Sequence, residues 1–250
     1  MNKNQYRTII MSDLHLGSKY SNPIEIIDFL NNNECETLIL NGDIIDADAL
    51  KRGGSWGKEE MKCLRKIIKK SYKSNVYWIR GNHDDFLYDF IPFEIGNIKI
   101  LENIEYEGLN GKKYIILHGD IFDIFVTEMK LLAKLGSIGY DFTLWLNKWY
   151  NKYRLYIGKE YFSLSQKIKS NVKSATNFIG DFEKHMVNHA KNLNCDGVIC
   201  GHIHKSEISK IDDIIYMNSG DWQETCSALL EDDKGNWSLF YYYDSNIKSK

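Results

Sequence analysis

Two histidines stand one residue apart in the segment VICGHIHK, directly after a short apolar run. They are His202 and His204, and in an extended chain the side chains of residues i and i+2 point to the same side. Two imidazole rings directed at one point are typical of a metal site. A pair of this kind can also be two histidines with purely structural roles. The rest of the chain has to decide between these interpretations.

Four other segments place potential metal ligands just after short apolar runs. The segments are SDLHLG, NGDIID, RGNHDD and LHGDIFD, and their candidate ligands are Asp13, His15, Asp43, Asn82 and His118. Each segment by itself could be a turn or a helix cap. However, five apolar runs that all lead into oxygen or imidazole ligands are poorly explained by turns alone. Open α/β sheets bind small molecules and ions beyond the carboxyl ends of their strands. We therefore expect the five segments to meet there and to bind metal together.

The types of these side chains indicate the metal and the reaction. Imidazole, carboxylate and amide ligands without cysteine suit Mn, Fe or Zn better than Ca or Mg alone. Two such ions about 3.5–4 Å apart can share a hydroxide and clamp the attacking and leaving oxygens of an in-line displacement at phosphorus. The ligand types therefore predict divalent ions, with Mn as the first choice and Fe or Zn as alternatives, and a pair of such ions would suit hydrolysis of a phosphate ester or anhydride.

The elements that must position these ligands predict an α/β fold. Strands are expected at 6–11, 37–40, 75–79, 197–200, 207–211, 214–217, 227–230 and 237–243. Amphipathic helical stretches separate the first three strands, which indicates a parallel sheet. Asn110-Gly111, between two strand-like runs, predicts a β-hairpin. A helical, aromatic-rich stretch at 121–193 interrupts this pattern, and we interpret it as a cap inserted into a catalytic domain formed by 1–120 and 194–250.

Composition narrows the class of protein. A chain of 250 residues with 43% hydrophobic and 26% charged residues is typical of a folded soluble protein, and a net charge of -2 implies no partner. The five cysteines form no C-x-x-C motif, which fits reduced thiols. The N-terminal residues lead into a strand pattern without the apolar region of a signal peptide. No apolar run reaches the roughly 18 residues of a membrane span. We therefore expect a cytoplasmic protein.

The order of the motifs resembles that of the calcineurin-like metallophosphoesterases. The matching elements are Asp-x-His, Gly-Asp, Gly-Asn-His-Asp, His-Gly-Asp and Gly-His-x-His, and they extend over nearly the whole chain. The resemblance implies two packed β-sheets flanked by helices, and a dinuclear site in which Asp43 bridges the ions. The implied ligands are Asp13, His15, Asp43 and His204 for one ion, and Asp43, Asn82, His118 and His202 for the other.

Side chains beside these ligands are predicted to act on the substrate. His83 follows Asn82 directly, so its ring should point toward the substrate, where it could donate to a phosphoryl or leaving-group oxygen. In family members with the same Gly-Asn-His-Asp string, the histidine is thought to work in this way. Asp84 is predicted to orient the His83 ring, and Arg80 to bind the substrate. Asp46 lies near a ligand and is expected either to accept from an imidazole N–H group or to cap a turn.

The predicted cap is basic and rich in aromatic residues. Residues 121–180 contain nine basic and four acidic side chains, a net charge of +5. The candidate substrate contacts are Phe125, Phe142, Trp145 and Trp149. Aromatic stripes of this kind form a protein core more often than a ligand groove. A basic, aromatic cap nevertheless suits an anionic lipid-linked substrate or the inner membrane surface. Single-stranded nucleic acid would also be attracted by cations and stacking rings.

Several strings further resemble the UDP-2,3-diacylglucosamine pyrophosphatase-like group, namely YDFTLWLNKWYN, VKSATNFIGDFE, CGHIHKSEI and NSGDW. This resemblance implies cleavage of a UDP-linked acylated sugar, as in lipid A biosynthesis, by a protein peripheral to the inner membrane. The founding enzymes of the group have arginine at the position of His83. Two alternatives remain: a nuclease or nucleotide phosphodiesterase of the same family, and a non-catalytic scaffold, against which the complete ligand set argues.

Overall fold

The computed structural model describes residues 3–121, 147–159 and 173–247. Its strands are β1 Asn4–Met11, β2 Asn33–Asn41, β3 Asn75–Ile79, β4 Phe93–Ile95, β5 Ile98–Leu101, β6 Asn103–Glu107, β7 Lys113–Leu117, β8 Gly197–Cys200, β9 Glu207–Ile211, β10 Ile214–Asn218, β11 Ser227–Glu231 and β12 Trp237–Tyr241. Its helices are α1 Pro23–Asn32, α2 Ala47–Lys51, α3 Lys58–Lys70, α4 at 147–156, α5 Lys173–Asn192 and α6 Tyr242–Ile247, with a 3₁₀ helix at Asp85–Phe90.

Two mixed sheets contain these strands. The first has the order β12-β11-β1-β2-β3-β5-β4, and β1, β2 and β3 run parallel, as the alternation of strands and helices predicted. The strand β5, which the sequence did not predict, also pairs parallel with β3. The second has the order β6-β7-β8-β10-β9, in which β7, β8 and β10 run parallel. The predicted hairpin is the antiparallel pair β6–β7, and Gly111 in its turn has a φ of 73°.

The apolar residues of the central strands alternate between two cores. In β1, Ile10 packs between the sheets with Ile39 of the first sheet and with Ile116 and Ile199 of the second. Its neighbours along β1 point to the opposite face, where α1 and α3 cover the first sheet. This alternation follows from the two-residue period of a strand. The predicted fold class, two packed sheets flanked by helices, is confirmed.

Helix α5 covers the outer face of the second sheet. Phe182, Met186, Val187 and Ala190 are buried there against β7, β8 and β10. These four residues lie within 121–193, the stretch that the sequence analysis interprets as an inserted cap. The predicted substrate contacts Phe125, Phe142 and Trp145 lie outside the described residues. Within the described ranges, every helix is too short or too polar to cross a bilayer.

Candidate metal centre

The predicted ligands lie in five loops at one edge of the sandwich. Three of these loops follow β1, β2 and β3 of the first sheet, and two follow β7 and β8 of the second. Backbone hydrogen bonds tie neighbouring loops together, because the Asp13 N–H donates to the Gly42 carbonyl at 3.0 Å and the His15 N–H to the Asp43 carbonyl at 2.9 Å. The strands therefore deliver side chains that are distant in sequence to one place.

Three overlapping groups of side chains could each hold a metal ion. They are Asp13, His15 and His204; His15, Asp43 and His83; and Asp43, His118 and His202, and within each group the ligand atoms lie within 4.8 Å of one another. The first and third groups reproduce parts of the two expected ligand sets. Asp43 belongs to two groups, as a bridging carboxylate must. The second group shows that the His83 ring lies beside the same centre.

The distances within the groups suit ligands that share cations. Asp13 Oδ1 lies 3.1 Å from His204 Nε2 and 3.8 Å from His15 Nε2. Asp43 Oδ2 lies 3.3 Å from His118 Nε2 and 3.7 Å from His15 Nε2. One oxygen of each carboxylate thus faces two imidazole nitrogens, which is the donor chemistry of a Mn, Fe or Zn site.

Buried atoms of this centre lack the hydrogen bonds that burial normally requires. Asp13 Oδ1, His15 Nε2 and His118 Nε2 are buried and make no hydrogen bond within the described part of the chain. The other ring nitrogens of these histidines are engaged: His118 Nδ1 with the Asn41 carbonyl at 2.9 Å and His15 Nδ1 with Asp46 Oδ2 at 3.1 Å. An N–H donated from Nδ1 leaves the Nε2 lone pair for a metal, so these residues fit divalent ions.

The electrostatics of the centre favour positive charge. Burial lowers the pKa of His118, but Asp43 and Asp13 more than offset this and hold it well above its usual value. The balance is the same at His15, whose pKa is raised to about 10 by Asp13, Asp46 and Asp43 despite burial. Burial raises the pKa of Asp43, but His118 and His15 hold it well below its ordinary value. Carboxylates that retain protons on nearby histidines will also retain cations, which compete with those protons.

The backbone of these loops corrects the expected geometry of the His-x-His pair. His202 and His204 have φ values of 68° and 54°, in the left-handed region, so the extended alternation does not apply after β8 ends. The His202 ring packs against His118 with a centroid distance of 5.1 Å. The His204 ring lies 5.4 Å from the ring of His15. The two histidines therefore join different groups of ligands.

At two positions near the centre only glycine, which has no Cβ atom, leaves room for the side chains of Asp43 and His118. A Cβ atom at Gly81 would lie 2.2 Å from Asp43 Oδ1, and one at Gly42 would lie 2.3 Å from the ring of His118. Gly42 also has a φ of 82°, which side chains rarely adopt. The Gly-Asp and Gly-Asn dipeptides of the sequence thus mark places where the backbone itself approaches a ligand.

Asp46, and not Asp84, holds the ring of His83. Asp46 Oδ1 accepts from His83 Nδ1 at 3.0 Å and Oδ2 accepts from His15 Nδ1 at 3.1 Å. Although burial raises the pKa of Asp46, these two hydrogen bonds lower it overall, so the group is an ionised acceptor. The role assigned to Asp84 from the sequence is therefore filled by the carboxylate that follows Asp43 by three residues.

Asp84 ties the loop after β3 to the loop after β2. It is fully buried, and its oxygens accept from the Gly81 N–H at 2.6 Å, the Ile44 N–H at 3.0 Å and Trp78 Nε1 at 3.2 Å. Burial and the charge of Asp43 raise its pKa. Since Ile44 follows Asp43, this carboxylate fixes the backbone beside Asp43.

The remaining predicted residues lie at the border of the centre. Arg80 donates from Nη1 to Asp85 Oδ1 at 2.9 Å and to Asp120 Oδ2 at 3.2 Å, so its charge is already matched by two carboxylates. It links the loops after β3 and β7, whereas the sequence predicted that it binds substrate. Asn82 is exposed in the loop after β3. Trp149 is 58% exposed on α4.

A cavity of about 680 Å³ opens beside the centre. His15, Asp46, His83 and His204 form part of its wall. The wall also contains residues that sequence reasoning missed: Ser18, Lys19, Tyr20, Arg52 and Gln223. The only signal for them was position, because Lys19 and Tyr20 follow the Asp-x-His motif closely. The cavity is large enough for a small-molecule substrate, since ligand pockets measure about 300–1,000 Å³.

Several solved structures match this chain at low sequence identity. They include Yfce, a phosphoesterase from E. coli, at 15% identity over 95% of this chain and 93% of that one, with a TM-score of 0.48. An archaeal phosphodiesterase matches at 18% identity over 94% and 98%, with a TM-score of 0.42. Vps29 from Entamoeba histolytica in complex with Zn²⁺ matches at 13% identity over 94% and 98%, with a TM-score of 0.43. None of the curated protein sequences matches significantly.

The family comparison covers most of the chain. The model of the calcineurin-like phosphoesterase family matches residues 6–206, which extend from β1 to the loop after β8 and so include all five ligand-bearing loops. Two of the ligand groups in these loops contain parts of the two sets that the resemblance implies. This chain belongs to the calcineurin-like phosphoesterase family and is a metal-binding hydrolase of phosphoester bonds.

Proposed function

We propose that the protein is a dinuclear metallophosphoesterase that cleaves a phosphoanhydride or phosphodiester, with a UDP-linked acylated sugar as its substrate. One observation carries the dinuclear part of the proposal. Asp43 is shared between ligand groups on both of its sides, and the centre opens into a cavity that reaches the His83 ring. Mn is the ion we propose, because the ligands are imidazole and carboxylate without thiolate.

The protein's own residues would divide the work as follows. Divalent ions at the two groups would polarise the phosphoryl group and lower the pKa of water. Asp43 would hold the two ions at a fixed separation, with Asp13, His15 and His204 on one side and His118 and His202 on the other. Asn82 remains a predicted ligand of the second group.

His83 is the proposed proton donor. Its Nδ1–H group donates to Asp46, so Nε2 is the nitrogen left to face the cavity that His83 lines. Asp46 fixes the orientation of the ring. A charged ring there can donate to a phosphoryl oxygen or protonate the leaving group.

Support for an acylated substrate comes from α4. Trp149, Tyr153 and Tyr156 are 58%, 61% and 89% exposed, and their spacing of four and three residues places them on one face. Contiguous exposed apolar surface marks a site for a ligand, partner or membrane. Together with the basic charge of the proposed cap at 121–193, this face suits the acyl chains of an anionic substrate at the inner membrane surface. Phe125, Phe142 and Trp145 remain proposed contacts of the same chains.

A substrate panel with the Mn²⁺-loaded protein tests the proposal. It compares UDP-2,3-diacylglucosamine, the same compound without acyl chains, and a cyclic nucleotide. We expect the acylated compound to have the highest kcat/KM, and Trp149→Ala to lower its preference over the deacylated compound at least fivefold. Tyr72→Ala is the matched control, because Tyr72 is an aromatic residue 80% exposed beyond α3. Equal turnover with and without acyl chains would reject the acylated substrate but not the phosphoesterase activity.

The alternative substrate is a nucleic acid or nucleotide. Two cation–π contacts on α4 favour it: Lys152 Nζ lies 5.5 Å from the ring of Trp149, and the guanidinium of Arg154 lies 5.6 Å from that of Tyr150. Cations beside aromatic rings also bind single-stranded nucleic acid. Faster hydrolysis of a single-stranded oligonucleotide or of the cyclic nucleotide than of the UDP-sugars would favour this function.

A further inference from the structure

A second cavity, of about 270 Å³, lies between α1 and α4. Three of the polar side chains that line it are almost completely buried: Asn147 at 2%, Asn151 at 3% and Glu224 at 3% exposed. Amide and carboxylate groups in a cavity wall can orient an occupant that has hydrogen-bonding groups of its own. We propose that this side chamber binds an uncharged, hydrogen-bonding ring of the substrate, a sugar or a nucleoside, whose phosphoryl group lies at the metal centre. The inference rests on the proposed phosphoesterase function.

The side chamber and the larger cavity share part of their wall. Tyr20 and Gln223 line both, so a ligand that passes between them can reach the histidines of the metal centre. The shared wall is anchored to that centre, because the N–H group of Trp222 donates to the Asp13 carbonyl at 3.0 Å. Asn22 holds the same loop through its amide, which donates to the carbonyls of Trp222 and Gln223, each at 3.0 Å. The chamber is therefore at a fixed position relative to a metal ligand.

The charged side chains that line the two cavities differ, so the cavities suit different parts of a substrate. In the side chamber two lysines of α4 are balanced by Glu25 and Glu224. The larger cavity instead has two cations, Lys19 and Arg52, against one carboxylate, Asp46, and it also reaches the histidines of the centre. This balance suits the negative oxygens of phosphate. The balanced charges of the side chamber therefore suit a neutral ring, and the cations beside the histidines suit phosphate.

The size of the side chamber also limits its occupant. Its volume is slightly below the range of about 300–1,000 Å³ that is typical of ligand pockets. One ring fits this volume better than a pair of long acyl chains. The acyl chains could instead lie on the exposed face of α4. The chamber would therefore select the polar part of the substrate.

A variant that fills the side chamber tests the inference. Leu155 lines the chamber from α4 and is 38% exposed, so Leu155→Trp adds volume without disturbing a buried core. Ile157→Trp is the matched control, because Ile157 is 42% exposed, lies two residues further along just beyond α4, and does not line the chamber. The substrates are bis(p-nitrophenyl) phosphate, thymidine 5′-(p-nitrophenyl phosphate) and glucose 1-(p-nitrophenyl phosphate), assayed with Mn²⁺.

We compare the kcat/KM of the thymidine diester and of the glucose diester with that of bis(p-nitrophenyl) phosphate. At least one of these two ratios should fall at least tenfold in Leu155→Trp. Both ratios should stay within twofold of the wild type in Ile157→Trp. Which diester is affected shows whether the ring is a nucleoside or a sugar. Unchanged ratios in Leu155→Trp, or a wild type that hydrolyses only bis(p-nitrophenyl) phosphate, would overturn the inference while the proposed function stands.

Equilibrium dialysis gives the same comparison without turnover. With thymidine 5′-monophosphate and glucose 1-phosphate as probes, at least one Kd should rise tenfold or more in Leu155→Trp and remain unchanged in Ile157→Trp. Equal Kd values for the wild type and Leu155→Trp would overturn the inference. A complete lack of metal-dependent hydrolysis would instead reject the proposed function, and the dialysis result would then decide the binding site separately.

Discussion

Replacing Asp46 by asparagine should weaken metal binding and proton donation together. The ionised carboxylate accepts from two histidines, His15 and His83, and from the N–H group of Ala49 at 2.7 Å. An amide has one oxygen and one NH₂ group, so it cannot accept from both rings. The oxygen that the Ala49 N–H requires is also the atom near His83. The NH₂ group would therefore face Nδ1 of His15.

This orientation forces His15 into the wrong tautomer. To accept from the amide, its Nδ1 must lose the proton, and a neutral ring then carries the proton on Nε2, where the metal should bind. Loss of a partner that orients a metal-bound histidine typically lowers affinity about 10–100-fold, which is about 1.4–2.7 kcal/mol. We expect an Asp46→Asn change of this size in the Kd for Mn²⁺ measured by isothermal titration calorimetry.

The kinetic consequence follows from the same contacts. His83 keeps an acceptor but loses the carboxylate that holds its ring, so kcat of the Mn²⁺-loaded protein should also fall in Asp46→Asn. Asp48→Asn is the matched control, because Asp48 lies two residues away on α2 with an exposed side chain. A Kd for Mn²⁺ within twofold of the wild type in Asp46→Asn would refute the tautomer argument.

Three further predictions concern the support of the centre. Gly81→Ala places a Cβ 2.2 Å from Asp43 Oδ1, so the protein should fold but lose at least tenfold in Mn²⁺ affinity, which calorimetry would show. In EDTA-treated protein, the raised pKa of His15 contributes stability that is complete below the unfolded-state value of about 6.5 and lost as pH rises through about 10. The Tm should fall across this window, and a flat profile would contradict the prediction. Phe182→Ala removes a buried ring 6.1 Å from that of His202, and should cost about 3–5 kcal/mol by urea unfolding, with a smaller loss for Phe182→Leu.

The sequence predicts the strands well where their residues are apolar. The bounds expected for β3, β8 and β9 are those of the structure, and β11 and β10 are each one residue longer than expected. The starts of β1 and β2 were missed because they are polar. There, Asn4 pairs with Asn33 in register, and the Asn4 amide donates to the Asn33 side chain at 2.9 Å. Tertiary pairing extends these strands beyond the part that hydrophobicity reveals.

The identities of the ligand groups also follow from the sequence, but their internal contacts do not. Residue type and position after an apolar run select Asp13, His15, Asp43, His118 and the two later histidines. The choice between Asp46 and Asp84 as the partner of His83 depends on how the loops after β2 and β3 pack together. Adjacency favoured Asp84, whereas the folded loops bring Asp46 to the ring across 37 residues of sequence.

The division of the centre between two sheets makes its geometry a property of the sandwich core. The loops after β1 and β2 belong to the first sheet, and those after β7 and β8 to the second. The inter-sheet residues Ile10, Ile39, Ile116 and Ile199 lie within four residues of a ligand-bearing loop. Because close-packed cores resist small changes of volume, they fix the separation of the two halves of the site. In the proposed site, Asp43 could bridge two ions only if the two halves stay at this separation. The packing of the inter-sheet residues, which lie outside the proposed ligand set, would therefore be required for activity.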